Sequence, residues 1–240
     1  MLSSRLVPGS VLRIRRDDGP DILTFTEAGG LARSGLNSAG IGLTANALEC
    51  DRDYQRGPGV PLPFIRRKVL ESAYLAEAVR TIFATPKLGS NHMAVSHCGG
   101  EAFGFECAPD ETFPLYPEDG LLVHANHWRS PVALAKLKEA GIPSSPESYY
   151  RDWRVRQHLE ARRGQLTAED MKAAFFDDFG TPYAVCRPPR PSSRNNLSAT
   201  VAMVIMRPAE GIMEVAPLPA LNRSFTTYSL DLSRRTKNAA

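Results

Sequence analysis

Apolar and polar residues alternate along Val11–Arg15 (VLRIR), the period of a half-buried strand. Asp17-Asp18-Gly19-Pro20 makes a turn and Ile22–Thr26 begins a second strand, so the two read as a hairpin. From Phe25 to Leu48 the chain reads FTEAGGLARSGLNSAGIGLTANAL, where Gly29, Gly30, Gly35, Gly40 and Gly42 punctuate strand-like apolar residues. This pattern predicts strands near Gly29–Ser34 and over Gly40–Leu48, turning at Asn37-Ser38-Ala39-Gly40. From spacing alone the glycines read first as ordinary hairpin turns, with a backbone that something approaches closely as the alternative. Beyond the Pro/Gly loop Arg56–Pro63, Ile65, Val69, Ala73, Ala76, Val79 and Phe83 recur three and four residues apart. That stripe predicts one helix, Phe64–Ala84, opened by Pro63 and stopped by Pro86.

His92–Cys98 and Glu101–Cys107 read as a hairpin about Gly99-Gly100, and Leu121–Trp128 (LLVHANHW) as a further strand. Helical patterns follow over Val132–Ala140, from Ser145-Pro146 to near Gly164, and over Ala168–Asp177, the last with a capping-box start at Thr167 and Asp170. Tyr183–Arg187 reads as a short strand, and Ala199–Met206 with Ile212–Ala216 as a closing hairpin. Strands joined by hairpins, with helices in two blocks, predict an α+β fold rather than βαβ units, in a single domain over residues 1–240.

Composition narrows the classes. Apolar residues make up 42% and charged residues 23% of the chain, ordinary for a globular protein, and a net charge of +3 gives no argument for nucleic acid. No apolar run reaches the ~20 residues of a membrane span, and the first residues lack the apolar core of a signal peptide. The four cysteines, Cys50, Cys98, Cys107 and Cys186, form no CxxC pair, which fits free thiols in a reducing, cytoplasmic setting.

The densest polar cluster is His124-Ala125-Asn126-His127. On a strand, His124 and Asn126 would share one face and His127 the other, an arrangement that argues against a metal site there. The Asn126 side-chain N–H could serve as an oxyanion donor; a satisfied core histidine is the plainer reading of His124 or His127. His97 and Cys98, adjacent on a strand, should diverge. Arg187–Arg194 (RPPRPSSR) reads as a structured basic, proline-rich loop, with a PxxP ligand as the alternative. No Gly-x-Ser-x-Gly elbow, Walker loop, dinucleotide fingerprint or HExxH motif occurs.

Four segments in order, Phe25–Leu48, Glu101–Glu106 (EAFGFE), Val123–His127 (VHANH) and Pro182–Arg187 (PYAVCR), resemble the acyl-coenzyme A:6-aminopenicillanic acid acyltransferase (isopenicillin N acyltransferase) family of N-terminal-nucleophile enzymes. The resemblance implies an αββα sandwich. It also implies a self-cleaved precursor whose new N-terminal cysteine forms a thioester with an acyl group, later resolved by an amine or water. Asn126 matches the family's oxyanion asparagine and Ala45 its backbone donor. The family's nucleophile lies upstream of the segment matching Val11–Arg15, and no Gly-Cys junction occurs in this sequence. The expectation is therefore a fragment of an active acyltransferase or amidohydrolase that lacks its nucleophile strand, with little or no activity as written and with a sheet edge open where that strand would pair. Its function would be acyl transfer or amide hydrolysis, with acyl-coenzyme A as a potential co-substrate. A small-molecule acyl substrate is the expected ligand, with no nucleic acid or membrane. Either a dimer or a nucleophile-bearing complementing chain would cover the edge. An inactive relative that binds small molecules or partners is the alternative. The family's arginine before the last hairpin has Leu197 at its place; Arg194, three residues earlier, is the candidate for substrate binding.

Overall fold

The computed structural model of the protein describes residues 9–55, 57–191 and 197–232. Seven strands form an antiparallel meander in chain order: β1 (Gly9–Ile14), β2 (Ile22–Glu27), β3 (Ser34–Asn37), β4 (Ile41–Ala47), β5 (Asn91–His97), β6 (Ala102–Cys107) and β7 (Thr112–Leu115). Helices α1 (Leu62–Leu70) and α2 (Leu75–Ala84) lie between β4 and β5 in sequence; α3 (Pro131–Lys136), α4 (Glu147–Glu160) and α5 (Ala168–Phe175) follow β7. After a two-residue pair, β8 (Arg190–Pro191) and β9 (Leu197–Ser198), a second sheet is made by β10 (Ala202–Arg207), β11 (Ile212–Pro217) and β12 (Thr226–Ser229).

Strand alternation sorts the side chains into layers. Ile41 and Leu43 of β4, Met93 and Val95 of β5, and Phe105 and Cys107 of β6 pack against Ile65, Val69 and Leu70 of α1 and Ala78 and Ile82 of α2. On the other face, Leu23, Phe25 and Leu36 meet Met213 and Val215 of the second sheet. The outer face of that sheet, through Met203, Ile205 and Ala216, packs on Phe175 of α5. Val155 and Leu159 of α4 join Ala174 of α5 beneath Val123. The order is helices, sheet, sheet, helices, the αββα sandwich expected. Each fully buried Leu, Ile or Met at these contacts contributes ~1.5–3 kcal/mol.

Several elements differ from the sequence expectation. The single helix over Phe64–Ala84 is two, because side chains capture the backbone at the break. Asn37 Nδ2 donates to the carbonyls of Leu70 (2.9 Å) and Ser72 (2.8 Å), Arg16 donates to that of Glu71 at 3.2 Å, and Glu77 accepts the Ala73 N–H at 3.1 Å. Gly29 and Gly30 are turn, and the strand begins only at Ser34; the turn at Asn37-Ser38-Ala39-Gly40 is as expected, with Gly40 at φ 90°. The helix expected over Val132–Ala140 ends at Lys136, where Leu137 turns extended. Pro146 occupies the N-cap of α4, and the capping box of Thr167 and Asp170 opens α5 as read. Tyr183–Arg187 is not a strand, and β7, β8, β9 and β12 carried no clear signal. β10 has β11 on one side and no strand on the other among the described residues, so it is an edge of the second sheet.

Leu121–Trp128 is an irregular loop attached only by a bridge between Leu121 and Glu118. Its carbonyls are satisfied by side chains instead of by a ladder. Arg129 and Arg156 donate to the Val123 carbonyl at 2.8 and 3.0 Å, and Asn46 donates to those of His124 and Ala125 at 2.6 and 2.9 Å. No alternation rule applies to such a segment.

Candidate functional site

The hydrogen-bond parity of β4 decides where its backbone points. The Cys98 N–H donates to the Gly40 carbonyl, and β4 and β5 pair from Ile41–His97 to Ala47–Asn91. Even-numbered residues of β4 therefore bond to β5, while Ala45 and Ala47 turn their N–H and C=O to the opposite side. There the ladder with β3 stops at Leu43. The backbone of Ala45–Ala47 thus forms a free edge beyond the last β3–β4 pair.

Asn126 faces that edge. Its Nδ2 donates to the Ala47 carbonyl at 2.9 Å, its Oδ1 accepts from Arg151 Nη2 at 3.0 Å, and its own N–H donates to Ser148 Oγ at 2.7 Å. An arginine can only donate and a carbonyl can only accept, so the amide can sit in one orientation alone. Asn126 and Ala45 are therefore brought to the same strand edge. Arg194 lies outside the described residues.

The loop carrying Asn126 is fixed from beneath by a carboxylate. Alternation puts Glu106 and His92 on the inner face of the large sheet, opposite the face that meets α1 and α2. Glu106, at 0% exposure, accepts the N–H of Arg129 at 2.6 Å, that of Ser130 at 2.9 Å and His124 Nε2 at 2.8 Å. His124 Nδ1 lies 2.9 Å from the Ala125 carbonyl, so both its ring nitrogens face oxygen atoms and the ring is held from two sides.

The His124 ring stacks on His92, centroids 3.7 Å apart and planes 7° apart, and lies 6.3 Å from His127, so the two histidines of the motif are on one side and not on opposite faces. Gly104 makes room for this stack: a Cβ there would sit 2.8 Å from His92 Nε2. Burial, reinforced by His124 and Arg129, pushes His92 well below the usual histidine range and leaves it neutral; its Nε2 is buried with no hydrogen-bond partner. Burial also lowers His127, whose Nδ1 meets Ser148 Oγ at 2.9 Å. Sequence reasoning missed Glu106 and Arg151. Glu106 was detectable as a carboxylate on the buried side of EAFGFE; Arg151 gave no signal beyond an ordinary charge in a helix.

The thiols are placed elsewhere. Cys50, Cys107 and Cys186 are buried, and burial raises all of them, Cys107 to about 11. Cys98 sits past the end of β5, six residues from His92, on the order of 20 Å along an extended strand. Its Sγ lies 3.6 Å from His97 Nε2, so the expected divergence fails. Cys98 is already in the turn, where strand alternation has lapsed. No three His, Cys, Asp or Glu side chains are grouped to hold a metal among the described residues, and no described helix is long and apolar enough to cross a membrane.

Comparisons with known proteins bear on the fold and the family. The solved structures of a mutant conjugated bile acid hydrolase from Clostridium perfringens and of penicillin V acylase from Agrobacterium tumefaciens share the fold. The first has a TM-score of 0.58 at 10% identity, covering 95% of this chain and 86% of that one. The second has a TM-score of 0.57 at 16% identity, covering 94% and 80%. The fold is thus the α+β sandwich of N-terminal-nucleophile hydrolases. The 40 kDa form of acyl-coenzyme A:6-aminopenicillanic-acid-acyltransferase from Emericella nidulans is 28% identical over 172 residues, 70% of this chain. The chain spans 45% of the length of that relative. Residues 24–216 match the family model for acyl-coenzyme A:6-aminopenicillanic acid acyl-transferase, and the chain belongs to that family.

Proposed function

We propose that this chain forms the oxyanion and acyl-binding side of a cysteine-dependent acyltransferase or amidohydrolase acting on amide or thioester acyl groups. The observation that carries the reading is the Asn126 amide, pinned by Arg151 and aimed at the free edge of β4 beside Ala45. Asn126 Nδ2 and the Ala45 N–H would hold the oxygen that becomes negative when a thiolate attacks the acyl carbon. Donors fixed before reaction cost no reorganisation as that charge appears. In this structure one N–H of Nδ2 is given to the Ala47 carbonyl, and the second would be the one offered to an acyl oxygen.

The acyl carbon would pass from its amine or thiol leaving group to the cysteine, and from there to an amine or to water. Acyl-coenzyme A suits the thioester donor in this scheme. With its own thiols buried or remote, the chain would receive the cysteine from a segment outside the described residues that adds to the open edge of β10. A complementing chain is the arrangement proposed, and a dimer the alternative cover for that edge. Arg194, outside the described residues, remains the candidate for substrate binding.

A second reading, a binding protein without turnover, is favoured by the same placement of the thiols. Incubation with a phenylacetyl thioester, of the chain alone and with any chain that co-purifies, separates them. Turnover only in the complex supports acyl transfer; an acyl-enzyme on any of the chain's four cysteines contradicts the proposed source of the nucleophile. Binding without turnover in every preparation leaves the second reading.

A further inference from the structure

The basic, proline-rich stretch Arg187-Pro188-Pro189-Arg190 is not absorbed by the oxyanion geometry, yet it lies beside it. Arg151, the residue that orients Asn126, is one of three arginines gathered at the N-terminal end of α4. Burial and then Arg187 lower Arg151 to about 10; burial likewise lowers Arg187, where Glu147 favours the charge and Arg190 disfavours it. The carboxylate these guanidinium groups face is Glu147. It lies 3.8 Å from Arg187 Nη1 and 3.6 Å from Arg190 Nη2, too far for hydrogen bonds, while its Oε1 accepts from Ser145 Oγ at 3.0 Å. The Nε of Arg151, of Arg187 and of Arg190 is in each case buried without a hydrogen-bond partner.

Such a cluster is costly. Like charges are held together, and donors that could bind water or a carboxylate are left empty. The backbone nevertheless holds it in place. Arg187 exchanges backbone bonds with Thr200, its N–H donating to Thr200 Oγ1 at 2.9 Å and its carbonyl accepting the Thr200 N–H at 3.0 Å. Two prolines restrict the backbone between Arg187 and Arg190, and in an extended polyproline geometry residues three apart point to the same side. Arg190 stacks over the Tyr183 ring at 4.4 Å. The Arg187 and Arg190 side chains keep about a fifth of their surface open, 22% and 21%, while their Nε atoms are buried.

We propose that Arg151, Arg187 and Arg190 form a recognition site for an oxyanion carried by the substrate whose acyl carbonyl sits at Asn126. Guanidinium groups with free donors match the planar, two-pronged geometry of a carboxylate and also accept phosphate. The inference rests on the proposed function for the position of the acyl group, but the anion site itself does not need turnover. A carboxylate would come from an N-acyl amino acid or its amine product. A phosphate would come from the carrier of an acyl thioester.

Calorimetric titration of the purified chain tests this with N-phenylacetylglycine, its primary amide, N-acetylglycine and coenzyme A. Saturable binding of N-phenylacetylglycine, about tenfold tighter than its amide and weakened about tenfold by Arg187→Gln, is expected for loss of one charge-assisted contact. Glu147→Gln should change binding in the opposite direction, because it removes the competing carboxylate; a fold-disrupting variant would not tighten binding. Tighter binding of coenzyme A than of the acid, lost in the same arginine variant, assigns the anion to phosphate. Equal binding of N-acetylglycine and N-phenylacetylglycine, insensitive to Asn126→Ala, keeps the anion site and removes the acyl reading. Equal binding of acid and amide without response to Arg187→Gln, or no binding of any of the four compounds, overturns the proposal.

Discussion

The two faces of the seven-stranded sheet are built on different physics. Toward α1 and α2, β4, β5 and β6 present Ile41, Leu43, Met93, Val95 and Phe105, all nearly inaccessible and gathered in one apolar cluster. Toward the second sheet, the same strands present Asn46, His92, Gly104 and Glu106, which build a polar platform for the loop carrying Asn126. The first face accounts for stability through area removed from water. The second is a poor choice for stability, because polar groups taken out of water must each be paired, a cost that apolar residues avoid. Buried polar atoms without partners occur on both sides among the described residues: His92 Nε2 and the Nε atoms of Arg151, Arg187 and Arg190 in this second region, Arg66 Nε on α1 and the Asn91 amide of β5 on the first. The contrast marks the second region as the one shaped by a task.

Substitutions can break that contrast. Glu106→Ala should have the largest effect, because it leaves the Arg129 and Ser130 N–H groups and His124 buried without their acceptor. A loss of about 3–5 kcal/mol is expected in urea unfolding; a loss under about 1 kcal/mol would mean that the loop does not depend on this carboxylate. Ile82→Ala, on the apolar face, should cost about 2–5 kcal/mol through the cavity it leaves. It should leave ligand binding by the folded fraction unchanged, whereas Glu106→Ala should weaken it.

Acid should act on the polar region specifically. His92 is held neutral by burial, with its folded value below the unfolded value of about 6.5. The unfolded chain therefore takes up a proton first, so stability is full above pH ~6.5 and falls as the pH drops below it. His92→Phe, which keeps a ring against His124 but cannot titrate, should flatten that fall. An unchanged pH profile of the unfolding free energy would show that His92 is not its source. The smallest effect is expected at Thr167→Ala, which removes the capping box of α5 for about 1 kcal/mol and leaves the site alone.

How much was readable in the sequence follows the same division. The hairpins β1–β2, β5–β6 and β10–β11 were legible because one face of each strand meets apolar residues and the period of two survives. The α1–α2 break was hidden because the apolar stripe continues across it, while the cause, Asn37, lies 33 residues away from the carbonyl of Leu70 that it captures. Leu121–Trp128 misled for a related reason. Its residues have strand-like composition, but its carbonyls are satisfied by Asn46, Arg129 and Arg156. Asn126 was found because its motif resembles a family; Arg151 was not, since only the fold brings α4 to that loop.

The central claim is that the Asn126 amide, held against the β4 edge, receives the oxygen of an acyl group. Its most direct test is the phenylacetyl-thioester turnover of Asn126→Ala beside the parent, each assayed with the cysteine-bearing chain that co-purifies. The account predicts a fall in kcat of about 10²–10³ with KM little changed, the signature of a donor that acts on the transition state. Equal kcat in the two proteins, or no turnover by the parent in any preparation, would contradict it.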